Sequence, residues 1–392
     1  MKKDTSIAHA GGKPTERFGF VNPPVYRGST VVFDTMADLE AAQADRFNKV
    51  VYGRIGTPTT MAFEQAMATL EGGYRTVAVS SGLAAVTASL LAFVSAGDHL
   101  LMVDSVYSPS RNFCDRIMSR LGVETTYYDP HMAGDIAGLI RDNTKVVFTE
   151  SPGSHSFEVQ DIPAIAAAAH ARGAVVLHDN SWATGLFFDA FAHGVDVSIH
   201  AATKYIVGHS DAMLGTITVV NEDHFRAVKL AASGLGNCPG SEECYLGLRG
   251  LRTLAIRLRR HQESALAVAQ WLAEQEEVAR VMYPALSDDP GYALWRRDFT
   301  GASGLLGIVL HRSYPRQAIA AFVDGLALFG LGASWGGYES LVLPYDLAKV
   351  RTAVAWTEVS PTLRFHIGLE DPDDLMADLD RAFGRLRAAT GE

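Results

Sequence analysis

Between Thr76 and Val220 the chain alternates apolar runs of strand length with helical patterns, and that alternation constrains the fold more than any other feature. Thr76–Val79, Leu100–Val103, Val123–Tyr128, Lys145–Thr149, Ala174–His178, Val195–Ile199 and Gly215–Val220 read as strands. Helical patterns at Leu83–Val94, Ser110–Leu121, Gly134–Arg141 and Ile162–Arg172 fall between some of them. Repeated β-α-β units with buried-strand composition predict an α/β fold with a mostly parallel central sheet and helices on both faces. Ligands of such sheets bind at the carboxyl ends of the strands. Ser81, Tyr107, Asp179 and Lys204 all fall there.

Of these, Lys204 and Asp179 say most. A lysine and an aspartate at the ends of successive strands suit an aldehyde cofactor, the amine as Schiff-base partner and the carboxylate facing a ring nitrogen. A carboxylate there holds that nitrogen protonated and makes the ring an electron sink. Taken alone, Lys204 reads as a surface lysine in a loop, and Asp179 as an N-terminal cap. Their common edge sets them apart.

Outside this run, residues 1–55 read as an arm. Asn22-Pro23-Pro24 enforces an extended path, Val25–Phe33 is β-prone and Met36–Ala44 suits a short helix. Thr57-Pro58 then opens a helix over Thr59–Glu71 that stops at Gly72-Gly73. Glu243–Glu276 is helical throughout and long enough to predict a kink near Gly250 or a break near His261. It leads into a smaller α+β region with strands near Val278–Tyr283, Leu305–Leu310 and Leu363–Ile367. Helices there are expected near Gln317–Asp324 and Asp373–Arg387. The expected division is an arm (1–55), a large α/β domain (56–250) and a C-terminal α+β domain (251–392).

Composition removes several classes of function. A net charge of −10 over 392 residues offers nothing to nucleic acid or an anionic membrane. MKKDTSIAHAGGKP lacks the apolar stretch of a secretory signal, and Leu83–Val94 is too short to span a bilayer. Cys114, Cys238 and Cys244 form no CxxC and cannot all pair, so reduced thiols, a cytoplasmic location and no metal site are expected.

The remaining motifs are each open to two readings. Ser80-Ser81-Gly82 joins a strand to a helix, where free N–H groups suit a phosphate, or it is a plain turn with a serine cap. Tyr107 stacks on a flat cofactor or lies half-buried over the core. Arg364, within the apolar Leu363–Ile367, holds an anion or forms a structural ion pair. Ser334-Trp335-Gly336-Gly337-Tyr338-Glu339-Ser340 is too glycine-rich and aromatic for a plain connector. No Walker pattern or GxGxxG loop occurs.

Longer motifs bring in a family. DVSIHAATKYIVGHS at Asp196–Ser210, Tyr52-Gly53-Arg54, LEGG at Leu70–Gly73, SSGLAAV around Ser81, ESP at Glu150–Pro152, RGLRTL at Arg249–Leu254, GGYESL and RFHIGLED are all present. In these the chain resembles the Cys/Met-metabolism family of pyridoxal-phosphate enzymes (fold type I), from Ile7 to Arg387. Within it the wording of HAATKYIVGHSDAM, SWGGYESL and RFHIGLEDPDDL is similar to the bacterial cystathionine β-lyase branch.

The resemblance implies a role for each matching residue. Lys204 would hold pyridoxal 5'-phosphate and move protons, Asp179 would pair with its ring nitrogen, and Tyr107 would stack on the ring. Ser81, Gly82, Leu83 and Thr203 would line the phosphate, joined by Tyr52 and Arg54 of a neighbouring subunit. Arg364 would bind the substrate carboxylate beside Ser334. Trp335, where γ-acting relatives carry a smaller side chain, favours β-cleavage. Tyr107 and Tyr52 are further candidates for catalysis. Also implied are an amino-acid substrate, carbon–sulfur cleavage of cystathionine for methionine synthesis, and a homotetramer of dimers sharing active sites. Cystathionine γ-synthase, γ-lyase, cysteine desulfhydrase and a non-catalytic binding protein remain alternatives. Ser154 follows the β-lyase pattern, whereas Ala231–Cys244 departs from it.

Overall fold

The computed structural model describes residues 1–359 and 361–391; Ser360 and Glu392, both inside the expected 251–392 region, lie outside the described residues. The first of its two sheets contains β1 (Arg75–Val79), β2 (His99–Val103), β3 (Glu124–Tyr128), β4 (Thr144–Glu150), β5 (Val175–Asp179), β6 (Val197–His200) and β7 (Gly215–Val219). Their order is β1-β7-β6-β5-β4-β2-β3. Pairing is parallel from β6 to β3, while β7 runs antiparallel to both its neighbours. β1, β2, β4, β5 and β6 therefore end at one edge. β2, β6 and β7 are buried along their whole length, which is why they read as continuous apolar runs.

The second sheet contains β8 (Val278–Met282), β9 (Leu305–Leu310), β10 (Gly330–Leu331), β11 (Leu341–Tyr345) and β12 (Thr362–His366), in the order β10-β11-β12-β9-β8. Only β10 and β11 pair in parallel. Arg364 sits on the central β12. β10 and β11 escape sequence reading because one has two residues and the other contains Pro344.

Several helices differ from expectation. The long run divides into Ser241–Leu251 and Leu254–Ala273, so the break falls beside Gly250 and the chain stays helical through His261. A Cβ on Gly250 would lie 2.2 Å from the Ile206 carbonyl, so the first helix seats directly on that backbone. The Arg257 guanidinium then donates to the carbonyls of Tyr205 and Gly250, each at 2.8 Å, and ties the second helix to the Lys204 turn and to the end of the first. Ser110–Leu121 begins as an α-helix at Ser108 but widens to a π turn over Cys114–Met118. Gly134–Arg141 is only a 3-10 turn over Ala133–Gly138, consistent with its two glycines.

The arm contains a helix at Lys3–His9 and the expected one at Met36–Ala44. Val25–Phe33 forms no strand; Thr30 makes a single bridge to Tyr52. Phe18, Phe20 and Val32 of the arm are exposed. Among the described residues no helix is long and apolar enough to cross a membrane, and all three cysteines are free, Cys238 alone being exposed.

Candidate active site

Lys204 lies in the turn that follows β6. Its backbone N–H donates to Ala201 at 3.0 Å and its carbonyl accepts from Gly208 at 2.8 Å. Thr203 closes the turn, its N–H and hydroxyl both donating to the Leu214 carbonyl while Leu214 N–H returns a bond to the hydroxyl at 2.9 Å. The Lys204 amine donates to Ser334 Oγ at 2.8 Å and stands 5.3 Å from the centre of the Trp335 ring. Burial and the Arg364 charge lower its pKa to about 8, against the opposing pull of Asp179. About a tenth of the amine is then neutral at pH 7.

Asp179 ends β5. Ser181 holds one carboxylate oxygen through its N–H at 3.0 Å and its hydroxyl at 2.6 Å, and Ala201 N–H donates to the same hydroxyl at 2.7 Å. Asp179 and the Lys204 turn are thereby tied together. Burial raises the Asp179 pKa and Ser181 opposes it. A buried carboxylate of this kind needs a cationic partner.

Arg364 enters the site from the other sheet. Its guanidinium donates to the carbonyls of Ala333 at 3.0 Å, Gly332 at 2.9 Å and Ser334 at 2.9 Å. Nε is buried without a partner, and among the described residues the side chain forms no ion pair. The structural ion pair is thus excluded among them. Burial lowers its pKa to about 10, which leaves it cationic at neutral pH. A buried guanidinium with no counter-charge attracts a carboxylate.

The loop carrying Ser334 and Trp335 is fastened to the motif that follows Arg364. Gly336 N–H donates to His366 Nε2 at 3.1 Å, and Ser340 N–H and hydroxyl bond Glu370 at 2.7 and 2.9 Å. Burial lowers the His366 pKa to about 3, so the imidazole is a neutral acceptor. Gly336 has φ +89°, and a Cβ there would stand 2.8 Å from the Lys204 carbonyl carbon. Only glycine permits this approach.

At the end of β1 the hydroxyl of Ser81, expected to line the phosphate, and that of its neighbour Ser80 are both engaged within the protein. Ser81 Oγ caps Ala84 N–H at 3.1 Å, and Ser80 Oγ donates to Asn237 Oδ1 at 3.1 Å. The Gly82 and Leu83 N–H groups head the helix Gly82–Phe93 and have no acceptor within it. A Cβ on Gly82 would meet Ala201 at 2.5 Å, so this helix end packs directly on the Lys204 turn. Asn237 also places the divergent Ala231–Cys244 stretch at the edge of this turn.

Tyr107 follows β2 and is half-exposed. Its N–H donates to Glu150 Oε2 at 2.7 Å. Its hydroxyl pKa is raised by burial, then by the Glu150 and Asp179 charges. Tyr52 and Arg54 differ. Both are exposed, and they line a cleft of about 550 Å³ with Thr57, Cys238, Ser241 and Glu242, while Arg54 donates to the Ser233 carbonyl at 2.8 Å. That cleft contains none of Lys204, Asp179, Tyr107 or Arg364. Sequence reasoning missed Ser181, Glu150 and His366. Glu150 lies in the ESP motif, but only strand pairing reveals its neighbour.

The residues present fit pyridoxal phosphate: a depressed amine, a buried carboxylate, an exposed aromatic ring and a helix N-terminus with free donors on one edge. Among the described residues no group of three or more metal-ligating side chains occurs.

The fold and this edge define a type I pyridoxal-phosphate enzyme. The chain belongs to the Cys/Met metabolism PLP-dependent enzymes, whose family model matches residues 4–384. It is 50% identical to a putative cystathionine beta-lyase of Rhizobium johnstonii, over 98% of this chain and 96% of the relative. Cystathionine beta-lyase MetC of Escherichia coli is 46% identical over 98% and 99%. An L-alanine/L-glutamate racemase of Wolbachia pipientis wMel is 39% identical over 98% of both chains. Among solved structures, metB from Corynebacterium glutamicum superposes with a TM-score of 0.91 at 30% identity, over 98% of both chains.

Proposed function

We propose that this protein cleaves the carbon–sulfur bond β to the amino group of cystathionine, taking up water and yielding homocysteine, pyruvate and ammonia. The observation that carries the reading is the Lys204 amine, part-neutral and bounded by Ser334 and Trp335, beside the uncompensated Arg364 guanidinium. Arg364 binds the substrate α-carboxylate and so fixes the α-carbon near Lys204. The neutral amine of Lys204 removes the α-proton, and the resulting ammonium returns a proton to the departing thiolate. Bound pyridoxal phosphate would supply the electron sink for the pair left at the α-carbon. Asp179 holds the ring-nitrogen proton, and Tyr107 covers the ring. Gly82 and Leu83 N–H groups, with Ser81 and Thr203 shaping their turns, receive the phosphate. Trp335 limits the space beside Lys204 and favours β- over γ-elimination.

On this reading Tyr52 and Arg54 complete a neighbouring subunit's site within a cytoplasmic homotetramer, and the exposed apolar side chains of the arm are covered there. The chain works as three regions, 1–55, 56–250 and 251–392. Product analysis with cystathionine tests the reaction: equimolar homocysteine and pyruvate are expected. α-Ketobutyrate with cysteine would assign γ-cleavage instead, and conversion of L- to D-alanine without cystathionine turnover would assign racemisation.

A further inference from the structure

Glu150 ends β4 at the same edge and takes no part in the chemistry above. In the parallel pairing of β4 and β5 it stands directly opposite Asp179. Partners in register on adjacent parallel strands point to the same face, with the strands about 4.8 Å apart. Two carboxyl groups therefore lie side by side at the strand ends. Asp179 has Ser181 to hold it as a carboxylate. Glu150 has no such support: its side chain accepts one bond, from Tyr107 N–H at 2.7 Å, and among the described residues it forms no ion pair. The charged or titratable groups acting on it are Asp179 from β5 and Tyr107 from the loop after β2. His200 and Lys204 act on Asp179 in turn, and Tyr345 on Tyr107.

The loop that Glu150 holds is fixed at its start by other means. Asp104 accepts from Arg111 at 2.6 Å, Arg351 at 2.9 Å and the N–H groups of Thr352 and Val354, each at 3.0 Å. Ser105 accepts at its carbonyl from Ser154 N–H at 2.8 Å. At the far end, Tyr107 accepts through its carbonyl from Ser110 and Arg111 in the following helix. Its own N–H has Glu150 alone.

We infer that Glu150 is a positioning residue that anchors Tyr107 as a neutral acid, leaving Asp179 the only carboxylate at this edge. Like charges on adjacent strands cannot both ionise cheaply, and Ser181 decides which of the two does. The direction of the Glu150 pKa agrees: burial and Asp179 push it well above the ordinary carboxyl range, with Tyr107 N–H opposing. A glutamine would accept the same bond without charge.

The inference rests on the proposed role of Tyr107, so its test uses readouts that do not depend on lyase activity. Pyridoxal phosphate binding, followed by absorbance, is expected to stay within about threefold of wild type in Glu150→Gln and to weaken about tenfold in Glu150→Ala. In the cofactor-free protein the sign of the pH effect is fixed. A native pKa above the unfolded one makes Glu150 destabilising as pH rises past the unfolded value. Glu150→Gln should therefore melt with wild type at pH 4 and about 2 °C or more above it at pH 8. Equal losses of cofactor affinity in the Gln and Ala variants, or no pH-dependent gain in the Gln variant, would overturn the inference. A wild-type protein that binds no pyridoxal phosphate would defeat the proposed function, while the melting comparison would still judge Glu150.

Discussion

The strand-end edge and the N-terminal arm carry candidate site residues under opposite physical conditions. Lys204, Asp179 and Arg364 are drawn into low-dielectric surroundings where every shift is traceable to burial or a neighbouring charge. Tyr52 and Arg54 are exposed and line a separate cleft. The edge is complete enough to bend the chemistry of a lysine within one chain. The arm has the residue types for anion binding but no enclosed place to use them within one chain.

The sharpest way to break this contrast is to remove the amine. Lys204→Ala should lose turnover by about 10⁴-fold or more, since both proton steps depend on it. Visible absorbance of the bound cofactor should change with it, and a variant with near-normal turnover would end the account. Arg364→Lys comes next. Replacing a fork of donors by a point charge should raise KM and lower kcat/KM by roughly 10²-fold, read from initial rates.

Arg54→Ala should weaken pyridoxal phosphate binding by about tenfold, a loss of roughly one charge-assisted bond, without lowering the melting temperature. If the arm serves a neighbouring copy, refolding Lys204→Ala with Arg54→Ala as equal mixtures should restore about a quarter of wild-type activity at pyridoxal phosphate concentrations too low to fill sites lacking Arg54. Random pairing leaves one intact site in each mixed dimer. No recovery would place Arg54 outside the site.

The smallest effect concerns stability. A lysine whose native pKa is about 8 binds fewer protons than the unfolded chain up to its ordinary value near 10.5. Stability therefore rises with pH across that window and is reduced below it. Cofactor-free Lys204→Met should accordingly melt about 1–3 °C above wild type at pH 7, with the gain vanishing by pH 10.

The same contrast explains what was legible in sequence. Lys204, Asp179, Tyr107 and Ser81 were readable because strand periodicity places a residue at a strand end without any tertiary knowledge, and parallel sheets bind ligands there. Arg364 stood out as a charge in an apolar strand, but its partners are carbonyls of residues 332–334, which no local pattern indicates. Glu150 is invisible because its meaning lies in register with a residue 29 positions later on the next strand. Asp104 and Arg351, bonded across 247 positions, are less readable still. The helix break beside Gly250 could be anticipated from length and glycine, whereas strand propensity misled at Val25–Phe33, which pairs only through the Thr30–Tyr52 bridge.

The central claim is that one amine at this edge, and no other in the chain, takes the cofactor. Borohydride reduction of the pyridoxal-phosphate-loaded protein, followed by peptide mass spectrometry, tests it directly. The account predicts a single pyridoxyl label on Lys204. A label on another lysine, such as the buried Lys229 that pairs with Glu64 at 3.1 Å, or no label at all, would contradict it.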